Sequence, residues 1–403
     1  MKLLFVHDHY FYKDKDGVYF SAGGFPWYLW EKYLNHFETI TVVGRYGGEL
    51  ENNQKLVKSS HDRVRFAFVD KISSLKGILK INKVKNEISL LLKDADALVA
   101  RLPSENGIIA SELAKKSGKY YALEVVGCAW DALWNYGGLK SKLYAPILYK
   151  RMQDSVFKAP QVLYVTSEFL QKRYKHAPNA FVLNASNVDI SDFENYIIKK
   201  RKQKIDNLDI KNKKIKIGLI GNYKAKYKGL HIAIKAIGYL KKHKNFDNFE
   251  FHVLGKGNPL EYKELIRKYN CSKKIFFDGT LPNGRPVLEW IDKQDFYIQP
   301  SLTEGLPRSV IEAMSRGSII VGTKTGGIPE LLGNNFVVKS GNPNHLARKM
   351  WEVIQYPKEQ LKAIATSNFK TAQKYDSKRL ADIRFRFYEN LKNQVKNKGN
   401  ESN

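Results

Sequence analysis

The sequence is poor in cysteine and lacks any long apolar run. Cys128 and Cys271 are the two cysteines among its 403 residues, and their lack of paired spacing indicates neither a disulfide framework nor a zinc site. Few cysteines also favour the cytoplasm. No apolar run approaches the roughly 18 residues of a transmembrane helix, and the apolar run ahead of His7 is too short for a secretory signal. We therefore expect a cytoplasmic protein without membrane-spanning helices.

Acidic residues are also scarce, because 40 Asp and Glu stand against 68 Lys and Arg, giving a formal charge of +28. Such an excess attracts polyanions or the anionic face of a membrane. A coding bias towards Lys, Asn and Ile would produce the same excess, and both explanations remain open. A nucleic-acid-binding protein is a further alternative, but the basic and aromatic residues form no known nucleic-acid-binding motif. We expect no nucleic-acid partner.

The length and the hydrophobic pattern predict two α/β domains. A chain of 403 residues with 43% hydrophobic content is long enough for two separate cores. Strand-like segments, separated by helical patterns, occur at residues 3–6, 39–43, 64–69, 97–100 and 120–126. This alternation predicts parallel sheets with right-handed crossovers, whose ligands collect at the carboxyl ends of the strands. Arg101 directly follows one such strand, so it is a candidate for binding a phosphate or the acceptor, with a surface ion pair as the alternative.

Residues 299–332 have the pattern of a strand end, a polar loop, a helix, a buried strand and a double-glycine turn. Pro307 suits the first turn of the helix, which has apolar residues at helical spacing and ends near Gly317. Gly305 would let the backbone approach a ligand closely. Because a helix amino terminus has unpaired N–H groups and a partial positive charge, this loop predicts a binding site for an anion such as a diphosphate.

Two carboxylates flank this anion site. Glu304 precedes the helix, and Glu312 lies roughly 7.5 Å beyond Pro307 along the helix axis. Carboxylates do not favour phosphate, but they accept paired hydrogen bonds from vicinal hydroxyls. We interpret the pair as ligands for the sugar and the ribose of a nucleotide-sugar, although two glutamates at this spacing can also be ordinary solvated residues.

The same segment resembles the donor site of retaining glycosyltransferases of family 4. The second Glu of a Glu-x7-Glu pair begins the sequence E-A-M, and G-G-I-P-E follows downstream. The resemblance covers nearly the full length and is strongest over residues 215–335. It implies a GT-B fold, in which two Rossmann-like domains with parallel sheets face each other across a cleft and the carboxyl-terminal domain holds the donor.

The resemblance also implies limits for the domains. The expected acceptor-side domain comprises residues 1–197 together with a return helix at 376–392. A basic linker at 198–213, which we expect to be solvated, leads to a nucleotide-sugar-binding domain at 214–375.

Roles for individual residues follow from the resemblance. Lys228 would neutralise the donor diphosphate, and Glu304 would orient the sugar and ease the positive charge that develops on its ring. These two are the expected catalytic residues, and Glu312 would bind the ribose. The other expected donor-binding residues are Gly23, Gly24, Asn222, Lys224, Gly279, Thr280, Leu281, Gly305, Leu306, Pro307 and Arg308.

Two positions depart from the family pattern. Asn222 stands where the family commonly has a second phosphate-binding arginine, so a nearby lysine or Arg308 would have to supply that charge. Many relatives also have a histidine in the first domain that contacts the transferred sugar, but the chain has none between His61 and His176. Asp131, which follows a strand end, is the expected substitute on the acceptor or sugar side.

Two stretches, residues 75–92 and 130–151, mix basic residues with apolar and aromatic ones. This mixture suits the interface of an anionic bilayer, and it is equally typical of ordinary helices that pack on a sheet. Peripheral membrane association would be useful to an enzyme whose acceptor is carried by a lipid.

The expected reaction is the transfer of a sugar, of the hexosyltransferase type, from a nucleotide-sugar to an acceptor hydroxyl with retention of configuration. No Asp-x-Asp motif is assigned to metal binding, so no metal and no other cofactor is expected. The expected acceptor is a glycan on a polyprenyl lipid at the inner face of the cell membrane, in capsule, O-antigen or exopolysaccharide biosynthesis. A sugar-nucleotide epimerase on the same fold is the alternative, whereas a phosphorylase would need a pyridoxal-binding lysine for which no motif is found.

Overall fold

The computed structural model describes residues 1–22, 24–51, 56–72, 77, 79–136, 138–244 and 246–401. Within these ranges the chain forms a nine-stranded sheet from residues 2–184 and a six-stranded sheet from residues 215–338. Helices cover both sheets. The architecture is therefore the predicted two-domain α/β fold with parallel sheets.

The first sheet is built around a long first strand. Its strands are β1 (Lys2–Lys13), β2 (Tyr19–Ser21), β3 (Thr39–Glu49), β4 (Val57–Lys58), β5 (Val64–Phe68), β6 (Ala97–Leu102), β7 (Tyr120–Val125), β8 (Gln161–Tyr164) and β9 (Phe181–Asn184). The parallel strands lie in the order β5, β3, β1, β6, β7, β8 and β9, and the antiparallel strands β2 and β4 pair beyond the far end of β1.

The second sheet is parallel throughout. Its strands are β10 (Ile215–Ile220), β11 (Phe249–Leu254), β12 (Ile275–Gly279), β13 (Phe296–Gln299), β14 (Ile319–Thr323) and β15 (Val337–Val338). They lie in the order β12, β11, β10, β13, β14 and β15. Because the strand order reverses between β10 and β13, a crevice for a ligand is expected outside their carboxyl ends.

The helices alternate with the strands along the chain. They are α1 (Glu31–Leu34), α2 (Ile81–Lys93), α3 (Glu105–Lys116), α4 (Ala129–Tyr136), α5 (Leu139–Phe157), α6 (Phe169–Arg173), α7 (Asn195–Asp206), α8 (Leu230–Lys244), α9 (Lys263–Lys268), α10 (Arg285–Lys293), α11 (Arg308–Ser315), α12 (Ile328–Leu332), α13 (Pro343–Ile354), α14 (Lys358–Ala372) and α15 (Ser377–Glu401). Among the described residues, no helix is both long enough and apolar enough to cross a membrane.

The central strand β1 is apolar on both faces, and each face belongs to a different apolar core. Leu3, Leu4, Phe5 and Val6 of β1 are fully buried, with Leu3 and Phe5 in one apolar cluster and Leu4 and Val6 in another. A parallel strand that is covered by helices on both faces requires such a continuous apolar run. The short run that precedes His7 is therefore a central strand, as the sequence predicted.

The last helix returns to the first sheet. Its buried residues Leu380, Phe387 and Leu391 belong to the same apolar cluster as Phe5. At the centre of this contact, the Glu124 carboxylate on β7 accepts hydrogen bonds from the Tyr33 and Tyr388 hydroxyls, each at 2.6 Å. The exact limits of the two domains stay a prediction.

The basic segment after residue 197 is not a solvated linker throughout, and that expectation is wrong for Arg201. This residue lies on α7 and is 4% exposed. Its guanidinium donates to the carbonyls of Arg316 at 2.9 Å and Gln294 at 2.7 Å, and Asp292 lies 3.8 Å away. A buried charge is stable here because hydrogen bonds and a counter-ion replace its water, which the charge pattern alone cannot reveal.

The buried Glu124 carboxylate predicts a pH-dependent loss of stability. Burial alone would raise the pKa of Glu124, but Lys32, Arg101 and the two tyrosine hydroxyls lower it from 4.5 to about 2. A lowered pKa in the folded state stabilises the protein above pH 4.5, and this contribution disappears as the pH falls towards 2. We expect Glu124→Gln to reduce the free energy of unfolding by about 3 kcal/mol at pH 7.

Urea unfolding of both proteins between pH 7 and pH 2 would measure this effect, with the difference shrinking below pH 4.5. The exposed Asp382 on α15 gives a matched control, since Asp382→Asn should change the free energy by less than about 0.5 kcal/mol. A Glu124→Gln protein as stable as the wild type at pH 7 would contradict the proposed role of this cluster.

Candidate active site

The loop after β13 leads into an uncapped helix end. Helix α11 begins at Arg308, and Pro307 precedes it with extended backbone angles (φ −73°, ψ 114°). The expectation that Pro307 lies in the first turn is therefore wrong by one position. No side chain caps this end, so the first amides of α11 remain available to an anion. Gly317, in the left-handed conformation (φ 61°), follows the helix end as predicted.

The expected catalytic residues Lys228 and Glu304 are in direct contact. Lys228 Nζ lies 2.7 Å from Glu304 Oε1, and the Ser301 hydroxyl donates to the same oxygen at 2.7 Å. Glu304 is 8% exposed, so this carboxylate is not the solvated loop residue of the alternative interpretation. Within the described residues, the donors that reach Glu304 bind Oε1 and leave Oε2 available.

Lys228 lies beside Glu304 because the backbone of its turn packs closely on the backbone at the end of β13. Lys228 ends a single 3-10 turn after β10, and Gly229 follows with φ 75°. A β-carbon on Gly229 would overlap the Pro300 carbonyl. Since glycine alone fits both the conformation and the space, the turn can press against the end of β13 and place the lysine beside Glu304.

Gly305 packs against the first domain, and its approach to a ligand stays a prediction. A β-carbon at Gly305 would overlap the carbonyl oxygen of Val126, which follows β7 in the first domain. On the other side of the loop, a β-carbon at Gly326 would overlap the Glu304 carbonyl, and Gly327 N donates to Gly305 O at 2.6 Å. The double glycine of the G-G-I-P-E motif therefore packs against the loop on the side opposite Val126.

Glu312 lies on α11 and is half-buried. Burial raises the pKa of its carboxyl group, and the neighbouring Arg308 partly offsets this effect. Both Glu312 and Glu304 also contribute to raising the pKa of the buried Tyr297, after burial itself. The two glutamates therefore lie within electrostatic reach of one buried hydroxyl.

The other expected donor residues line the same carboxyl edge. Asn222 follows β10, is exposed, and accepts a hydrogen bond from Lys224 N at 2.9 Å. Gly279 ends β12 with φ 74°, and its carbonyl accepts from Gly255 N at 2.6 Å. The neighbouring Thr280, Leu281 and Arg308 are exposed, while Leu306 is half-buried.

The two residues expected on the acceptor or sugar side are already paired. Arg101 is half-buried, with Nε 3.8 Å from Glu124 Oε2 and its guanidinium 5.4 Å from the Phe25 ring centre. The Asp131 carboxylate binds Arg173 at 2.9 Å. The Asp131 carbonyl, by contrast, accepts from the Thr303 hydroxyl at 3.3 Å, so the backbone of Asp131 meets the donor loop and its carboxylate does not.

Two histidines in the middle of β1, after its apolar run, were missed as site candidates. Gly23 lies outside the described residues, but Gly24 lies beside His9, since a β-carbon there would be 3.2 Å from His9 Cε1. Burial, with a smaller effect of Arg101, lowers the pKa of His7 to about 3 and that of His9 to about 4. Both imidazoles are therefore neutral at pH 7. Polar residues directly after an apolar run were the available signal.

The last glutamate of G-G-I-P-E connects the two domains. The Glu330 carboxylate accepts hydrogen bonds from Ser167 N at 2.7 Å and Phe169 N at 2.6 Å. Asn135 on α4 donates to the Thr303 hydroxyl. Together with the approach of Gly305 to the first domain, these bonds bring the donor loop against the carboxyl ends of the first sheet.

Two Asp-x-Asp triplets, which the sequence interpretation left out, have structural partners. Asp14 Oδ1 accepts from Val18 N at 2.7 Å, so its triplet closes a turn. Asp94 and Asp96 bind Lys2 through its side chain at 3.1 Å and its backbone N–H at 2.7 Å. Within the described part of the chain, no group of three or more His, Cys, Asp or Glu is placed to hold a metal ion.

Comparison with known proteins gives the class. Residues 200–369 match the family described as glycosyl transferases group 1, and the chain belongs to this family. It is 33% identical over 340 residues to the protein CapJ of Staphylococcus aureus, an alignment that covers 84% of this chain and 83% of CapJ. It is also 31% identical over 161 residues to the putative colanic acid biosynthesis glycosyltransferase WcaL of Salmonella typhimurium, covering 37% of this chain and 39% of WcaL.

Solved structures share the whole fold. Anabaena Alr3699/HepE, in complex with UDP and glucose, superimposes with a TM-score of 0.63 at 15% identity and covers 97% of this chain and 99% of its own. A glycosyltransferase from Rickettsia africae superimposes with a TM-score of 0.58 at 16% identity. The match covers 97% of this chain and 98% of the Rickettsia chain. The expected GT-B fold is confirmed, and the chain is a glycosyltransferase of this fold.

The packing of Gly305 predicts the effect of a single methyl group. Gly305→Ala should push the donor loop away from Val126, because the obstacle is a backbone carbonyl that cannot rotate aside. The expected cost is about 1–3 kcal/mol, and amide hydrogen exchange should rise in the loop and in α4. Gly138→Ala is the matched control, since open space surrounds that position. Equal exchange in Gly305→Ala and the wild type would contradict this close approach.

Proposed function

We propose that the protein is a retaining, metal-independent glycosyltransferase that moves a sugar from a nucleotide-sugar donor to a hydroxyl of a lipid-linked glycan. The observation that carries this proposal is the Lys228–Glu304 ion pair at 2.7 Å beside the uncapped start of α11. It combines a positive charge, a carboxylate and free amide groups at one place, as a sugar diphosphate requires.

In the proposed mechanism, the start of α11 and Lys228 hold the donor diphosphate. Negative charge grows on the leaving diphosphate in the transition state, so fixed donors placed there stabilise the transition state more than the bound substrate. The lysine and the helix amides would supply the positive charge that a metal ion supplies in other enzymes. Lys228 would then exchange part of its contact with Glu304 for the phosphate oxygens.

The two glutamates would bind the two rings of the donor. Glu304 Oε1 is held by Lys228 and Ser301, which leaves Oε2 to accept sugar hydroxyls and to ease the positive charge on the ring. Glu312, further along α11, would accept the ribose hydroxyls. Because Glu304 is tied to a cation, it is a poor nucleophile, and this supports attack from the same face as the leaving diphosphate, which takes the acceptor proton.

A glycan acceptor is supported by the relatives. WcaL is named for colanic acid biosynthesis, and the amylovoran biosynthesis glycosyltransferase AmsK of Erwinia amylovora is 31% identical over 115 residues, covering 27% of this chain and 28% of AmsK. We therefore place the reaction in surface polysaccharide biosynthesis, in the cytoplasm at the inner face of the cell membrane.

An exposed apolar stripe on α5 supports contact with the membrane. Leu139, Leu143 and Ile147, at four-residue spacing on one face of the helix, are 76%, 70% and 54% exposed. The neighbouring Lys140 and Lys142 are also exposed. Apolar side chains beside lysines are what an anionic bilayer surface attracts, so we refine the predicted 130–151 stretch to this face. We call these three apolar residues the α5 stripe.

Conservative variants test the donor site. We expect Glu304→Gln to lower the transfer rate by about 10²–10³-fold while nucleotide binding changes little, because this side chain contacts the sugar. Glu312→Gln should weaken nucleotide binding by about tenfold or more, since it removes a charged hydrogen-bond acceptor. A panel of nucleotide-sugars, with binding by calorimetry and transfer by product analysis, would measure both.

The exposed Glu289 on α10 offers the control, and Glu289→Gln should behave as the wild type. Full turnover by Glu304→Gln would refute the assignment of the site. Loss of the nucleotide-sugar without any added acceptor, with release of an epimerised nucleotide-sugar, would instead identify the reaction as epimerisation.

Vesicle binding tests the α5 stripe. Replacing Leu139, Leu143 and Ile147 together by Gln should reduce binding to vesicles with 30% anionic lipid by about tenfold or more, because three apolar side chains no longer enter the interface. Co-sedimentation would measure this, and Leu260→Gln, at another strongly exposed leucine in the second domain, is the control. Equal binding of the triple variant and the wild type would exclude this stripe as the docking face.

A further inference from the structure

A cavity of about 260 Å³ opens at the carboxyl ends of β1, β3 and β5, away from the Lys228–Glu304 pair. It holds the volume of roughly nine water molecules at ~30 Å³ each, which is space for one sugar ring. The residues that matter for its chemistry are Tyr10, Arg45, Tyr46, Phe68, Asp70 and Lys71. No role in the donor site accounts for it.

A fixed arginine borders the cavity. Arg45 is 8% exposed, and its Nη2 lies 3.1 Å from Asp8 Oδ2. Asp8 also accepts hydrogen bonds from the backbone N–H groups of Glu105 at 2.8 Å and Asn106 at 3.3 Å, so the ion pair is anchored to α3. Arg45 Nε is buried without a hydrogen-bond partner among the described residues. Because this atom has no exposed surface, Arg45 contributes its fixed positive charge to the cavity and not its Nε–H donor.

Three of the nine residues that line the cavity are aromatic, namely Tyr10, Tyr46 and Phe68. Tyr10 and Tyr46 are 37% and 47% exposed, and the Tyr46 and Phe68 rings pack with their centres 5.4 Å apart. Apolar ring faces beside a few fixed polar groups are typical of small-molecule sites. A sugar ring fits both features, because its C–H faces pack on aromatic rings and its hydroxyls bond to charged groups.

The charges that line the cavity are mixed, since Arg45, Lys71 and Lys83 lie beside Asp70 and Glu87. Asp70 contributes a carboxylate that binds Lys80 at 2.9 Å and Lys83 at 3.1 Å, and Glu87 contributes a second carboxylate to the lining. Carboxylates repel phosphate but accept hydrogen bonds from hydroxyls. Arginine and carboxylates together can therefore recognise a polyhydroxylated ring from several sides.

The cavity lies apart from the point where the donor loop meets the first sheet. The donor loop meets the first sheet at Val126, directly after β7, whereas the cavity lies at β1, β3 and β5. From β3 to β7 there are three strand spacings, through β1 and β6, or ~14 Å at about 4.8 Å each. A ring in the cavity would therefore be separated from the reaction by at least one further ring.

We propose that this cavity is an acceptor subsite for a non-reacting sugar ring, so that the acceptor is an oligosaccharide and not a single sugar. The inference rests on the proposed function, because it needs a transfer reaction at the Lys228–Glu304 site. Tyr46 and Tyr10 would hold the faces of the ring, and Arg45 and Asp70 its hydroxyls.

Acceptors of graded length test the subsite. The probes are fragments of one, two, three and four sugar rings, cut from the surface polysaccharide of the cell that makes the protein and joined to an aryl group. For the wild type, we expect kcat/KM to rise at least tenfold once the fragment is long enough to reach the cavity. Tyr46→Ala should remove that rise while transfer to the one-ring acceptor and slow hydrolysis of the donor stay within twofold.

Lys71→Ala, at an exposed residue of the lining, gives a second variant without risk to the core, and we expect a two- to fivefold loss with long acceptors alone. Tyr196→Ala removes another exposed tyrosine, 55% exposed and on α7, and should match the wild type with every probe. These two variants separate loss of the subsite from general damage.

The outcomes distinguish the two proposals. Wild-type transfer that does not depend on acceptor length, or a Tyr46→Ala protein equal to the wild type with all probes, would overturn the subsite and leave the proposed function intact. Wild-type protein that neither binds nor cleaves any nucleotide-sugar would overturn the proposed function and the subsite with it.

Discussion

Backbone-to-backbone packing at glycine positions holds the donor loop in its place. The loop lies between the Val126 carbonyl of one domain and the double glycine that precedes α12, and Gly229 lets the lysine-bearing turn touch the end of β13. At each contact a side chain would occupy the space of a carbonyl group. The backbone segments that bear Lys228 and Glu304 are therefore held at a fixed separation, which is a form of the preorganisation that electrostatic catalysis requires.

Buried charged residues with fixed partners also hold the structure together. Glu124 joins the return helix to the first sheet, Arg201 joins α7 to the second domain, and Asp8 joins β1 to the start of α3. Each charge is bound by groups that are distant in sequence. Removing one partner from such a pair is costly, so these contacts specify how the layers fit together.

Sequence patterns predicted those features that depend on local order. Apolar runs fixed the parallel strands, and proline, glycine and helical spacing placed α11 to within one residue. The expectation that Lys228 acts with Glu304 came from resemblance to a family, since 76 positions separate the two residues. Spacing alone could not reveal that Arg173 forms an ion pair with the Asp131 carboxylate, or that the buried Arg201 donates hydrogen bonds to backbone carbonyl groups. These contacts depend on how distant segments meet in three dimensions.

The two neutral histidines also have a property that sequence patterns could not predict. His7 and His9 directly follow the apolar run at residues 3–6, but they lie within β1, which continues to Lys13. Their protonation states depend on burial and on Arg101, neither of which a linear pattern displays. Aromatic residues of three separate strands likewise form the cavity beside Arg45, and each of them alone appears as an ordinary strand residue.

The returning helix α15 has a consequence for the order in which the protein is made. Domains generally fold from the amino terminus during synthesis, but here the first sheet lacks Phe387, Tyr388 and Leu391 until α15, which follows the whole second domain, has been translated. The amino-terminal half therefore waits, with the apolar surface around Tyr33 and the Glu124 carboxylate uncovered, while the second half is synthesised and folds. Completion of the first-made domain therefore comes after translation of the second domain, and chains that terminate before α15 remain open to capture by chaperones.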